Sequence, residues 1–201
     1  MGSIAIRRWS CENFDRGKVF DDMSDVQGKV APAQQPEPWL RGTLTEIPTV
    51  ARAVLHALEL ALEDVNRWCE SLSEADLHAR PFDLAPIAFH LRHIARSLDR
   101  LLAYAEGHQL TNDQIAALKS EMDPGASREA LFVEFNQGLE LAAQRVRALA
   151  GSDLDQPRAV GKKQLPTSVG GLLVHVADHT QRHVGQTVTT AKILLAGKGS
   201  N

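Results

Sequence analysis

Cysteine is scarce: the 201-residue chain carries only Cys11 and Cys69. Two thiols in a chain of this length do not make a disulfide framework, and their scarcity fits a reducing compartment. No charge of one sign dominates, since the formal net charge is −3. The basic pieces, Arg7-Arg8 and Lys162-Lys163, are too short for the clustered basic face of a nucleic-acid binder. No apolar run approaches the ~18 residues that a membrane span needs. The first residues, 1–6, lack the apolar stretch of a secretory signal. These absences point to a cytoplasmic protein with no nucleic-acid partner and no membrane partner.

What is present suits one globular domain with a tail. Apolar residues make up 43% and charged residues 23%, enough for a sizeable core and an ordinary surface. Residues 1–44 hold Gly2, Gly17, Gly28, Pro32, Pro36, Pro38 and Gly42 and no sustained apolar periodicity. The stretch 31–38, Ala-Pro-Ala-Gln-Gln-Pro-Glu-Pro, reads as an extended linker, because proline fixes its own φ and restricts the residue before it. The expectation is an irregular N-terminal extension over 1–44. Either it is a partly disordered tail or Trp9, Phe14, Phe20 and Trp39 pin it to the domain.

Residues 45–201 read as four long amphipathic helices. The first, over about 47–72, carries Val50, Val54, Leu58, Ala61, Val65, Trp68 and Leu72 at spacings of three and four, with Pro48 near its start. Residues 71–81 read as a connection. The second helix, about 84–105, has Asp83 as a candidate N-cap and Gly107 where a C-terminal glycine belongs. A shorter helix over 112–121 lies in the following link. The third long helix, about 128–150, has Ser127 at its start. Residues 151–166 are rich in turn residues, and the fourth helix runs from about 167 to 196. No strand-like run competes. Four apolar stripes are buried together only in a bundle, so an all-α four-helix bundle is expected. The link between the second and third helices exceeds the ~2–8 residues that join antiparallel neighbours, which leaves room for a crossover.

Five of the eight histidines fall on two of these helices. His175, His179 and His183 are spaced by four, so each is rotated only ~40° from the last and lies near Leu172, Leu173, Val176 and Val184. Two imidazoles four apart on a helix can reach one ion. His90 and His93 lie three apart on the second helix, beside Leu91 and Ile94. Isolated HxxxH pairs also occur by chance, as ordinary core histidines. Burying several imidazoles is unfavourable unless each is satisfied, and a metal ion would satisfy them together.

The segment His179-Thr180-Gln181-Arg182-His183-Val184-Gly185-Gln186 resembles the closing motif of the DinB-like family, an HxxxH pair followed by Gly-Gln. Leu91-Arg92-His93-Ile94-Ala95 resembles that family's second-helix motif. Pro38-Trp39-Leu40-Arg41-Gly42 and the stretch 98–107 also read like one branch of it. The pattern covers about 38–196, and it is more specific for the fold than for any reaction. The resemblance implies a crossover bundle with a divalent ion, zinc or nickel, on His93, His179 and His183. His90 and His175 have no firm counterpart; each could be an outer group, a pocket wall or a substitute ligand. Asp178 is not an obvious partner for His179, and Gln186 reads more simply as a surface residue. Tyr104 and Glu106 lie too far along the helix from His93 to claim.

Three neutral imidazoles leave an ion its full charge and an open position, an arrangement of the catalytic type. The wider superfamily resembles metal-dependent enzymes that use low-molecular-weight thiols. The expected function is therefore a metal-dependent transferase, isomerase or hydrolase acting on a small electrophilic substrate, with a small thiol or water as nucleophile. Two other classes stay open: a non-catalytic metal-binding stress-response bundle, and a helical interaction module. A homodimer is a further expectation. Cys69, next to Trp68, reads as a core thiol.

Overall fold

The computed structural model describes residues 35–198. The expectations for Trp9, Phe14, Phe20 and most of the N-terminal extension lie outside these residues. The chain divides between Gln35 and Pro36, and the fold described is that of the second unit.

Six α-helices and one small hairpin make up this unit: α1 Thr49–Cys69, α2 Glu74–His78, α3 Ile87–Ala105, α4 Asn112–Lys119, α5 Arg128–Leu149, β1 Pro157–Val160, β2 Leu165–Ser168 and α6 Val169–Lys198. The four long helices form a ring in which α1 packs on α6, α6 on α3, α3 on α5 and α5 on α1. Their stripes meet inside. Val54, Leu58, Ala61 and Val65 of α1 are buried with Leu91, Ile94, Leu98 and Leu102 of α3, Leu131, Phe135 and Val146 of α5, and Leu172, Leu173 and Val176 of α6. Each of these side chains larger than alanine contributes about 1.5–3 kcal/mol by leaving water.

The cross-helix contacts fix the directions. His90 and His93 of α3 meet His183 and His179 of α6, so these helices are antiparallel. Arg96 meets Glu134 and Glu106 meets Arg145, so α3 and α5 run the same way. Gln181 of α6 donates to the Ala57 carbonyl of α1 and Lys192 lies over Trp68, so α1 and α6 also run the same way, and the order is up, down, down, up. Two consecutive parallel helices need the chain to travel back along the bundle, and residues 106–127, which include α4, do this.

Local chemistry sets the ends. Gly107, at φ +90°, lets the chain leave α3: its N–H bonds the Tyr104 carbonyl and the His108 N–H bonds the Ala103 carbonyl. Ser127 caps α5 by accepting from the Ala130 N–H. Asp83 does not cap α3. It sits in a 3₁₀ turn at φ +60°, and the helix begins beyond Pro86.

Two further expectations fail. Residues 71–81 are not a plain connection, because Ser73 and Asp76 form a reciprocal capping box that nucleates α2. Residues 151–166 are not all turn either. β1 and β2 pair antiparallel, with Val160 opposite Leu165 across a loop that uses left-handed Gly161 and Gln164. The hairpin lies across the end of α3, where Arg158 Nε donates to the Ala105 carbonyl at 2.7 Å.

At the start of the unit, Trp39 is exposed and its Nε1 donates to Glu37. Arg41 holds this segment to α1 through Glu59 and Glu63.

Candidate metal centre

The α3–α6 seam carries the histidines. His93, His179 and His183 bring one ring nitrogen each to within 4.8 Å of one another. His93 Nε2 and His179 Nε2 are 2.9 Å apart. A tetrahedral ion with nitrogen ligands at ~2.0–2.1 Å asks for neighbouring nitrogens about 3.3 Å apart, a spacing that lies between the 2.9 Å of this pair and the 4.8 Å within which the whole set falls. Three half-buried imidazoles have the donor chemistry that zinc, nickel and similar ions accept. The group is able to hold a metal ion.

Helical geometry explains which histidines converge. On α6 the rings of His179 and His183 have centroids 4.7 Å apart, as an i, i+4 pair should. His175 follows the same spacing, but the accumulated rotation carries it outward. Its side chain is 47% exposed and stands near Asp178. It is not in the converging group. On α3, His93 faces the seam and stacks on Phe89 one turn earlier, with ring centroids 5.2 Å apart and 25° between the planes.

His90 is the more buried of the α3 pair, at 3% exposure. Its Nδ1 lies 3.0 Å from His183 Nδ1. One of these nitrogens must donate and the other accept. If His183 Nδ1 carries the proton, the lone pair of His183 is left on Nε2. His90 thus touches a converging ring instead of joining the converging set.

Electrostatics favour uncharged rings. Burial, followed by the neighbouring rings of His183 and His93, pushes His179 down to about 4. Burial and His93 push His183 down to about 4. Burial and His183 do the same to His90. An imidazole that stays neutral at physiological pH keeps a lone pair to offer.

Glu121 was not foreseen. It lies just past α4 and is 5% exposed. Its Oε2 is 2.7 Å from His93 Nδ1, and its Oε1 accepts from Arg100 at 2.7 Å. Burial alone would raise its pKa, but the hydrogen bonds from His93 and Arg100 outweigh it and hold the carboxyl below its usual range. The expected helix over 112–121 ends at Lys119, and the turn at its end swings Glu121 inward. No local pattern in the sequence marks it.

A pocket of about 260 Å³ opens beside the histidines, lined by His93, His179, His175, Arg100, Tyr104 and Leu118 among others. Tyr104, far along α3 from His93, therefore still faces the same space. Glu106 does not, being engaged by Arg145. Asp178 bonds Arg182 on the surface, and Gln186 is exposed. Cys69 is fully buried, and burial pushes its thiol up to about 12, as a core thiol requires.

No helix among the described residues is long and apolar enough to cross a membrane. A search of curated proteins finds no match. The family model described as DinB superfamily matches residues 57–187, a stretch that holds α3, the crossover with Glu121, and both converging histidines of α6. A crossover bundle with three histidines gathered on its α3–α6 seam and a family match over most of the chain lead to one assignment: the protein belongs to the DinB superfamily.

Proposed function

We propose that the protein is a divalent-metal-dependent enzyme that activates a small thiol, or water, for attack on a small electrophilic substrate. The observation that carries this reading is the convergence of His93, His179 and His183 beside an open pocket. Zinc or nickel fits the all-nitrogen donor set. An ion held by these three neutral ligands would supply Lewis acidity toward a thiol or water.

The chain's own residues divide the remaining work. His93, His179 and His183 bring no charge, so the ion's positive charge stays undiminished for its substrate. Leu101, Leu110 and Leu118 give the pocket an apolar wall. Arg100, Tyr104 and His175 place polar groups on the rest of the lining. At about 260 Å³ the space suits a small molecule better than a polymer.

The test is elemental analysis of protein purified without a histidine tag, beside the His179→Ala variant. About one equivalent of ion in the wild type and none in the variant is the expected result. Thiol-dependent consumption of small electrophiles by the loaded wild type then tests the activity. A wild type that binds no ion while remaining folded overturns the proposal.

A further inference from the structure

We infer that Glu121, carried by the crossover, is a positioning residue of the metal centre that acts through His93. The inference rests on the reading of His93, His179 and His183 as the ligands. An ionised carboxylate can only accept hydrogen bonds. With Glu121 Oε2 at 2.7 Å from His93 Nδ1, that nitrogen carries the proton and donates it. The lone pair of His93 is thereby left on Nε2, the atom that meets His179 Nε2. Glu121 occupies the opposite edge of the ring, so it orients a ligand and does not compete to be one. The negative charge behind the ring also strengthens the donor, as carboxylate–histidine pairs do at metal sites.

The placement of this carboxylate is over-determined. Arg92, Arg96 and Arg100 recur every four residues along α3. Arg92 donates to the Asp123 carbonyl at 2.8 Å, and Arg96 donates to the Ala117 carbonyl at 2.7 Å and to Ser120 Oγ at 2.9 Å. These bonds satisfy carbonyls at the end of α4 and fasten residues 117–123 to α3. Arg100 then takes the second oxygen of Glu121. Both partners are more than nine-tenths buried, so an unmet charge on either would be costly. A simple strap could be anchored by carbonyl contacts alone. The carboxylate adds a charged contact to one ring of the converging set.

Two measurements test this. In metal-free wild type, nitrogen-15 NMR of the histidine rings should show His93 protonated on Nδ1 with a lone pair on Nε2. The opposite tautomer overturns the inference without any variant. Competition of zinc between the protein and a chromophoric chelator should give a dissociation constant ~10–100-fold weaker for Glu121→Gln than for wild type. A Val146→Ala control, which loosens the core beside Arg145 and Glu106 at the far end of α3, should stay within about twofold. An unchanged constant in Glu121→Gln overturns the positioning role while leaving the ligands in place. Equal weakening in the control assigns the effect to general stability and overturns it too. Failure of wild type to bind zinc overturns the ligand reading itself.

Discussion

A methyl group on Gly138 of α5 would stand 2.6 Å from the Cβ of Ala95 and 2.8 Å from its Cα. The two parallel helices touch here through a position with no side chain, one residue from Ile94 and two from His93. Backbone cannot yield as a flexible side chain can. Gly138→Ala is therefore expected to destabilise the fold by about 1–2 kcal/mol, the overpacking cost exceeding the gain in helix propensity. Gly185→Ala on α6 should do the reverse, stabilising by about 0.5–1 kcal/mol, because nothing lies within 4 Å of its Cβ position. Urea unfolding of both variants checks the opposite signs.

His90 and His93 should separate cleanly under substitution. His93 offers Nε2 to the converging group, whereas His90 touches that group only through His183. His93→Ala should abolish zinc binding in equilibrium dialysis, and His90→Ala should weaken it roughly tenfold. Retention after His93→Ala with loss after His90→Ala would show that the ligand on α3 is one turn away from where we place it.

Stability should fall in acid in part through Asp76. The hydrogen bond from Lys198, then that from Ser73, holds this carboxyl below its usual range. A carboxyl with a depressed folded-state pKa stabilises the fold above its unfolded value, ~3.9, and loses that contribution as pH falls through the folded value. The gap in unfolding free energy between wild type and Asp76→Asn should be constant from pH 8 to about 5 and close below about pH 4. Denaturant titrations across this range measure it.

Gly107 tests the exit from α3. Its φ of +90° costs any other residue strain, and its turn leads into the crossover. Gly107→Ala should lower stability by about 1–2 kcal/mol, read as a reduced urea midpoint with an unchanged slope.

Much of this architecture was legible because it is written at short range. The periodic stripes of α1, α3, α5 and α6, the Ser127 cap and the glycine after α3 are all local patterns, and the four-residue spacing of His179 and His183 needs only one helix. His93 needed the family motif, since His90 sits on a similar face. The capping box of Ser73 and Asp76 was a readable signal that the long apolar stripe of α1 obscured. The hairpin was not readable, because two four-residue strands are too short for alternation to emerge beside Pro157, Gly161 and Pro166. Glu121 was hidden for another reason. It meets His93 across 28 residues of chain, and only the path of the crossover brings them together.

The converging nitrogens come from helices 86 residues apart in the chain at the His93–His179 pair. An unfolded chain does not hold the three together, so an ion bound there would favour the native state. At a free concentration a thousand times its dissociation constant it would add about 4 kcal/mol to the unfolding free energy. With an ion bound, the seam between α3 and α6 would thus make the chain's persistence in the folded form a function of metal supply. The thermal midpoint should climb with the logarithm of free zinc in the wild type and stay flat in His179→Ala.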